Sequence, residues 1–595
     1  MAAVPSKSNQ LNTQISQAKK LHRDGKLEAA KQSYEKLLRK HPGNVTLLAL
    51  IGGVCLQTKN YKEALDYLKH ACAKNKKDAD LPYNLALAYY HLRDYENAVK
   101  CYDQATDMNP DHDRAFYMKG KAYLEWDGDK YKEQAFDAYR RDAELTERVD
   151  SYVMLAEIMF GLKRYEDARG LSKRALELDP ANEIALWTMA KTMIKENYKK
   201  AYMDVRHAEP IIKAGSLILK LYKNSWRGHH IMAEGLAMIG EDDLALEHYD
   251  RLNQLQPGFA GSRTSAAVLK LRQGNLKEGW EEISHRKTHG AELYGINIVD
   301  IEKCPAPPWQ GELENGKKIL VASEQGIGDQ MLHAQMLREL IEAGMEVHMT
   351  CTPKIVEMMA RSIPQATFYP ANEGIPQLVR DQMDYKAELL DLGKYLRGEL
   401  NHFKEPFYFL TPEPELLNHF VEKYKRFGDK LKIGISWKSS SKSVGDLKST
   451  KLTQWKEILS IPGAQFINIQ YGEIQADLDE LKAETGIELF VDDFDPFADV
   501  EKAVAQIAAL DMIVSVSNAS VHFSGQLNVP TWVLLNQRTL WHWFDSGEDT
   551  VWYDSLRLYR QEQLESWDPV FERVAGDLNQ LVSGFNEQLS GESDD

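Results

Sequence analysis

Small residues recur along the first half of the chain with an almost fixed period. Ala18, Gly52, Ala86, Gly120, Ala156, Ala190, Ala233 and Ala267 are spaced 34, 34, 34, 36, 34, 43 and 34 apart. A near-constant period of this length is the mark of stacked supersecondary units. A second series keeps step with the first: Ala30, Ala64, Ala98, Ala135, Ala168, Ala245 and Gly279. Tyr34, Tyr102, Tyr139 and Tyr249 follow four residues behind it, and Pro42, Pro110, Pro180 and Pro257 form a third series. Two helices of about a dozen residues with two turns fill such a period. Ala and Gly belong where paired helices touch, the ring fills the gap to the next pair, and proline ends the second helix. One pair cannot bury its own apolar face, so pairs must stack.

These residues resemble the tetratricopeptide repeat, over residues 9–287 and about eight units. The two extra residues near 126–130 and the nine extra near 191–221 read as insertions. The concave face of such a solenoid is lined by the first helix of each unit. The phasing sets Tyr83, Tyr90, Tyr117, Phe160 and Trp187 on or near that face. They are expected either to form a groove of aromatic anchors for an amphipathic partner segment or to be interior packing. Asn84 is the only asparagine at its repeat position, so an asparagine ladder that grips peptide backbone is not expected.

The helical rhythm stops near residue 288, and the run CPAPPW at 304–309 cannot continue a helix, so 288–316 reads as a linker. Short apolar runs then alternate with helical stretches. Strands are expected at 317–323, 346–350, 366–369, 431–437, 465–470, 486–491, 511–516, 531–535 and 556–559, with a helix after the first strand running to about residue 343. The alternation argues for parallel sheets covered on both faces. A break at TPEP (411–414) divides the region into two Rossmann-like halves, 317–412 and 413–566, with a ligand cleft at the carboxyl ends of the strands. Residues 567–595 read as a closing helix to 589 and an acidic tail, the last five residues expected to be disordered.

Composition narrows the function. With 43% apolar and 27% charged residues the 595-residue chain is of ordinary globular type, and its net charge of −16 argues against nucleic acid as a partner. No run of 18 apolar residues predicts a membrane span, and residues 1–10 lack an apolar signal core. Cys55, Cys72, Cys101, Cys304 and Cys351 are scattered without metal-type spacing, so they are expected to be buried hydrophobes in a reducing, cytoplasmic setting, and no metal site is expected.

The chemistry is expected in three places. SEQGIGD (323–329) follows a strand and opens a helix; Gly326 and Gly328 let the backbone approach a ligand, and Asp329 stands where a carboxylate can take a proton from a hydroxyl. The competing reading of Asp329 is a helix cap. Ser436, Lys438, Ser439, Ser440 and Ser441 follow a strand of the second half, where hydroxyls, an ammonium and amides suit a nucleotide phosphate, or form only a polar loop. Ser517, Asn518, His522 and Gly525 open the helix after strand 511–516, His522 as a donor to phosphate or sugar or as a buried histidine. Trp541 and Trp543 read mainly as core rings.

The runs WQGELENGKKILVASEQGIGDQMLHAQMLREL (309–340), IGISWKSSS (433–441), LDMIVSVSNASVHFSGQLNVPTWVLL (510–535), LWHWF (540–544) and WYDSLRLYRQ (552–561) resemble bacterial tetratricopeptide proteins whose C-terminal module is similar to the heptosyltransferases. Those are inverting glycosyltransferases of the GT-B fold, and relatives with repeats include flagellin glycosyltransferases that use CMP-linked nonulosonic acids. The resemblance implies an α-solenoid followed by an α/β GT-B module that transfers sugar, without metal or bound cofactor, from a nucleotide-sugar to Ser or Thr of a protein such as flagellin held by the repeats. It assigns the base to Asp329 and donor contacts to His522 and Gly525. Ser517 and Asn518 replace the Asp and Thr of the heptosyltransferase pattern, which favours a CMP-sugar carrying its own carboxylate over an ADP-heptose. Two other readings stand: a scaffold with a degenerate transferase module, and a transferase acting on a saccharide or lipid-linked acceptor.

Overall fold

The computed structural model describes residues 7–203, 205–287, 298–403, 406–440, 445–562 and 566–592. The chain divides into two compact units, Met1–Glu196 and Asn197–Asp595.

The first unit is a run of antiparallel helix pairs: Lys7–Arg23 with Leu27–Lys40, Val45–Gln57 with Tyr61–Lys74, Asp80–His91 with Tyr95–Met108, Ala115–Asp127 with Lys132–Thr146, and Val149–Gly161 with Tyr165–Leu178. The phased residues do what their size permits. A β-carbon on Gly52 would lie 2.5 Å from Leu68 Cγ, and one on Gly120 would lie 2.9 Å from the Tyr139 ring, so only glycine lets these helices meet. Tyr34, Tyr102 and Tyr139 are sealed between pairs. Helices ending at Lys40, Met108 and Leu178 each stop just ahead of a proline, because the residue before proline is pushed out of helical geometry. The nine-residue insertion is absorbed by a longer helix, Glu183–Met203, and a short turn, Val205–His207.

The second unit opens with further helices of the same kind: Glu209–Leu221, Trp226–Ile239, Asp242–Leu255, Ala260–Arg272 and Leu276–Ile283. Two parallel sheets follow. Strands β1 (Lys318–Ala322), β2 (Glu346–Cys351), β3 (Ala366–Pro370) and β4 (Tyr385–Glu388) lie in the order β3-β2-β1-β4. Strands β5 (Leu431–Ser436), β6 (Ala464–Asn468), β7 (Met512–Val516), β8 (Thr531–Leu535) and β9 (Leu556–Arg560) lie in the order β6-β5-β7-β8-β9. Each sheet is entirely parallel, with Ile319 opposite Val347 and Tyr385, and Ile433 opposite Phe466 and Met512. Strand order reverses beside β1 and beside β5, and loops leaving such points diverge to leave a crevice. The solenoid followed by two Rossmann-like lobes is therefore the architecture of the chain. One apolar core runs between the lobes, from Ile319 and Met331 to Val504 and Phe523.

Four details differ from the sequence reading. Residues 486–491 are not a strand: Gly486, at φ 74, ends the helix Gln475–Thr485, and Phe490 alone touches the sheet, bridging to Ile467. β4 was not expected. The helix after β1 is three pieces, Ile327–His333, Ala334–Met336 and Leu337–Glu342. The closing helix, Asp568–Glu592, takes in the start of the expected tail, whose last three residues lie outside the described ones.

The end of the repeats is also not an end of compactness. Trp280 is buried against the first lobe and donates to the carbonyl of Arg397 at 2.9 Å. Among the described residues, no helix is long and apolar enough to cross a membrane.

Candidate functional site

The loop leaving β1 turns at Gln325, held at φ 62, a conformation few side chains adopt without support. The amide of Gly326 donates to Asp329 Oδ2 at 3.3 Å, so this carboxylate does reach back to cap its own helix. Gly328 faces the helix Ala519–Gln526: a β-carbon there would stand 3.0 Å from His522 Cδ2 and 3.3 Å from Ala519 Cα. The two lobes thus meet at a glycine, with Asp329 beside the contact. Burial raises the Asp329 carboxyl above its ordinary range, opposed by the Gly326 amide and the charge of Lys448.

In the second lobe the loop after β5 is stitched to the helix after β7. Ser436 Oγ, the amide of Trp437 and the amide of Lys438 all donate to Gln470 Oε1, at 2.9, 3.0 and 2.7 Å. Asn518 Nδ2 donates to Ser436 Oγ at 2.7 Å and to the Lys438 carbonyl at 3.0 Å, while its Oδ1 caps the amide of Ser520 at 3.0 Å.

A cavity of about 480 Å³ opens between these loops. Gly326, Gly328 and Asp329 line it from the first lobe, and Ser439, Ser440, Ser517, Asn518 and His522 from the second. Lys448 and His542 also line it and were not anticipated. Lys448 is the only Lys or Arg among the described lining residues, and its ammonium makes no hydrogen bond or ion pair among the described residues. Burial lowers its ammonium to about 8, with Asp329 pulling the other way. Burial also holds His522 down to about 3, with the charges of His333 and Lys448 adding to the effect, so the imidazole is neutral at ordinary pH. His522 stacks on Trp543 with centroids 5.5 Å apart, and its Nδ1 lies 3.3 Å from the Tyr553 hydroxyl. Trp543, fully buried, donates to Ser517 Oγ at 3.0 Å. Tyr471, Phe497 and Ile507 give the cavity an apolar portion.

Three expected donor contacts are corrected. Ser436 is sealed in the hydrogen-bond network and is not among the residues lining this cavity. The Lys438 ammonium pairs with Asp477. Gly525 is a packing glycine: a β-carbon there would fall 2.6 Å from the Tyr553 ring. Ser441 lies outside the described residues.

The expected anchors all belong to the first unit. Tyr83 is 7% exposed, its ring packed against Tyr102 and His112, so it is interior packing and no partner can grip it. Tyr90, Tyr117, Phe160 and Trp187 are half-buried. Each ring carries a cation from its own or the next repeat: Lys121 5.8 Å from Tyr90, Arg148 5.1 Å from Tyr117, and Lys191 4.5 Å from Phe160 and 3.6 Å from Trp187.

Fold and cavity together describe a repeat protein with a two-lobed α/β cleft. Tetratricopeptide repeat profiles match residues 21–69 and 83–112, and such repeats present extended surfaces to other proteins. Protein FlbA of Caulobacter vibrioides is 25% identical over 524 residues, covering 84% of each chain. Among solved structures, pilF of Pseudomonas aeruginosa is 19% identical, covering 39% of this chain and all of its own at a TM-score of 0.32. A tetratricopeptide repeat protein from Parabacteroides merdae is 17% identical, covering 44% of this chain and 99% of its own at 0.31. The architecture described above rests on the chain's own helix pairs and strands.

Proposed function

We propose that this chain is an inverting protein O-glycosyltransferase whose repeats recruit the acceptor. The observation that carries the reading is one cavity, at the carboxyl ends of two parallel sheets, lined by a half-buried carboxylate, Asp329, and an ammonium, Lys448, that is unpaired among the described residues. In the proposed step a Ser or Thr hydroxyl oxygen bonds to the anomeric carbon of the donor. Asp329 takes the hydroxyl proton as the bond from that carbon to the nucleotide breaks. Lys448 offsets charge on the departing phosphate, aided by amides at the start of the helix Ala519–Gln526. The raised Asp329 carboxyl is a stronger base than an exposed one.

Asp329 is the only carboxylate among the described lining residues, so a donor sugar with its own carboxylate meets little repulsion there. This supports a CMP-linked nonulosonic acid. Flagellin is the proposed acceptor, on the family resemblance. The test is release of CMP from a CMP-linked nonulosonic acid by the full chain. Faster release of ADP from an ADP-heptose would reverse the donor assignment, and nucleotide binding without turnover of any donor would leave the scaffold reading in its place.

A further inference from the structure

The end of the repeats packs against the loops that line the cleft. Arg286, fully buried just beyond the last repeat helix, grips Glu324 with two bonds, Nε to Oε2 at 2.9 Å and Nη2 to Oε1 at 2.6 Å. Its Nη1 donates to Asp391 Oδ1 at 2.5 Å. Glu324 also accepts the amide of Leu390 at 3.0 Å, and it immediately precedes Gln325, the strained turn residue of the Asp329 loop. The same repeats reach a second lining loop. Arg272 Nε lies 2.8 Å from Asp545 Oδ1, and the Trp280 ring meets Trp541, next to His542, edge-on at 5.1 Å.

We propose that the last repeat is a working part of the cleft, with Arg286 a positioning residue that fixes the Asp329 loop through Glu324. A buried guanidinium with a bidentate carboxylate partner fixes direction as well as distance. A left-handed residue such as Gln325 persists only where its surroundings over-determine it. The geometric part of this inference stands alone; its kinetic part rests on the transferase reading.

The test compares hydrogen exchange in full-length wild type, Arg286→Lys and Glu324→Gln. Arg286→Lys keeps the charge and loses the fork, and Glu324→Gln keeps the shape and loses the charge. Amides of residues 323–333 should exchange about tenfold faster or more in each variant, while β7 and β8 keep their protection. Unchanged exchange over 323–333 in both variants, or a rise spread evenly over the second unit, would overturn the proposal. If wild type turns over a donor, kcat should fall about 100-fold with KM nearly constant, as a misplaced catalytic group requires. If wild type turns over none, the transferase reading fails and the exchange result still decides the positioning role.

Discussion

Replacing Lys448 by Met removes the one ammonium among the cavity's described lining residues while keeping most of the side chain's volume. A charge-assisted hydrogen bond to a phosphate contributes about 1.5–3 kcal/mol. Nucleotide affinity should therefore fall about 10- to 150-fold at pH 7. The pH dependence is more specific than the loss. With Lys448 lowered to about 8, wild type holds its cation below that pH and loses it above. Binding of CMP, followed by calorimetry between pH 6.5 and 9, should weaken through about 8 in wild type and stay flat through that range in Lys448→Met. The carboxylate feels the change too. Lys448 lowers the Asp329 carboxyl, so removing it should move the acid limb of turnover to higher pH. Equal affinities and equal alkaline slopes in the two proteins would refute the assignment of Lys448 to the phosphate.

Three further outcomes are expected. Gly52→Leu should destabilise the first unit by about 1–3 kcal/mol, since a β-carbon already lies 2.5 Å from Leu68 Cγ, whereas Gly53→Ala meets nothing within 4 Å and should not; thermal unfolding separates the two. His333 and His522 are both held down to about 3 when folded and titrate near 6.5 when unfolded, so their contribution is full above 6.5 and is lost as pH falls toward 3. Each should cost up to about 1.4 kcal/mol per pH unit in that window, and denaturant midpoints equal at pH 7 and pH 5 would contradict it. Joint replacement of Tyr117, Phe160 and Trp187 by Ala should abolish capture of the protein acceptor while leaving CMP binding intact, and retained capture would place recognition elsewhere.

The solenoid was legible because its constraint is local and repeated. Gly52, Gly120 and Tyr139 each do in space what their size and phase required. β1, β5, β7 and β8 were legible as apolar runs because both faces of a parallel strand are buried. β4 was not, since Tyr385 and Lys386 at the sheet edge are only half-buried and give no apolar run. In residues 486–491 the apolar run packs beside the sheet instead of joining it. Asp329 could be found because a strand, a glycine pair and a helix surround it in the sequence. Lys448 could not: it stands in the four-residue helix Gly445–Lys448 within a polar stretch, and only the tertiary fold turns it into the cavity. Lys438 looked the better phosphate ligand until Asp477, far along the chain, claimed its charge. Arg286 gave no signal beyond a basic residue near a helix end, because its partners, Glu324 and Asp391, lie in the first lobe.

The most direct measurement is the intact mass of a candidate flagellin incubated with CMP-linked nonulosonic acid and the full chain, beside the same reaction with Asp329→Asn. The account predicts acceptor mass rising in whole sugar increments with wild type. With Asp329→Asn the rate should drop by about two to four orders of magnitude while CMP binding persists. Mass addition by Asp329→Asn at the wild-type rate would contradict the account by removing its base.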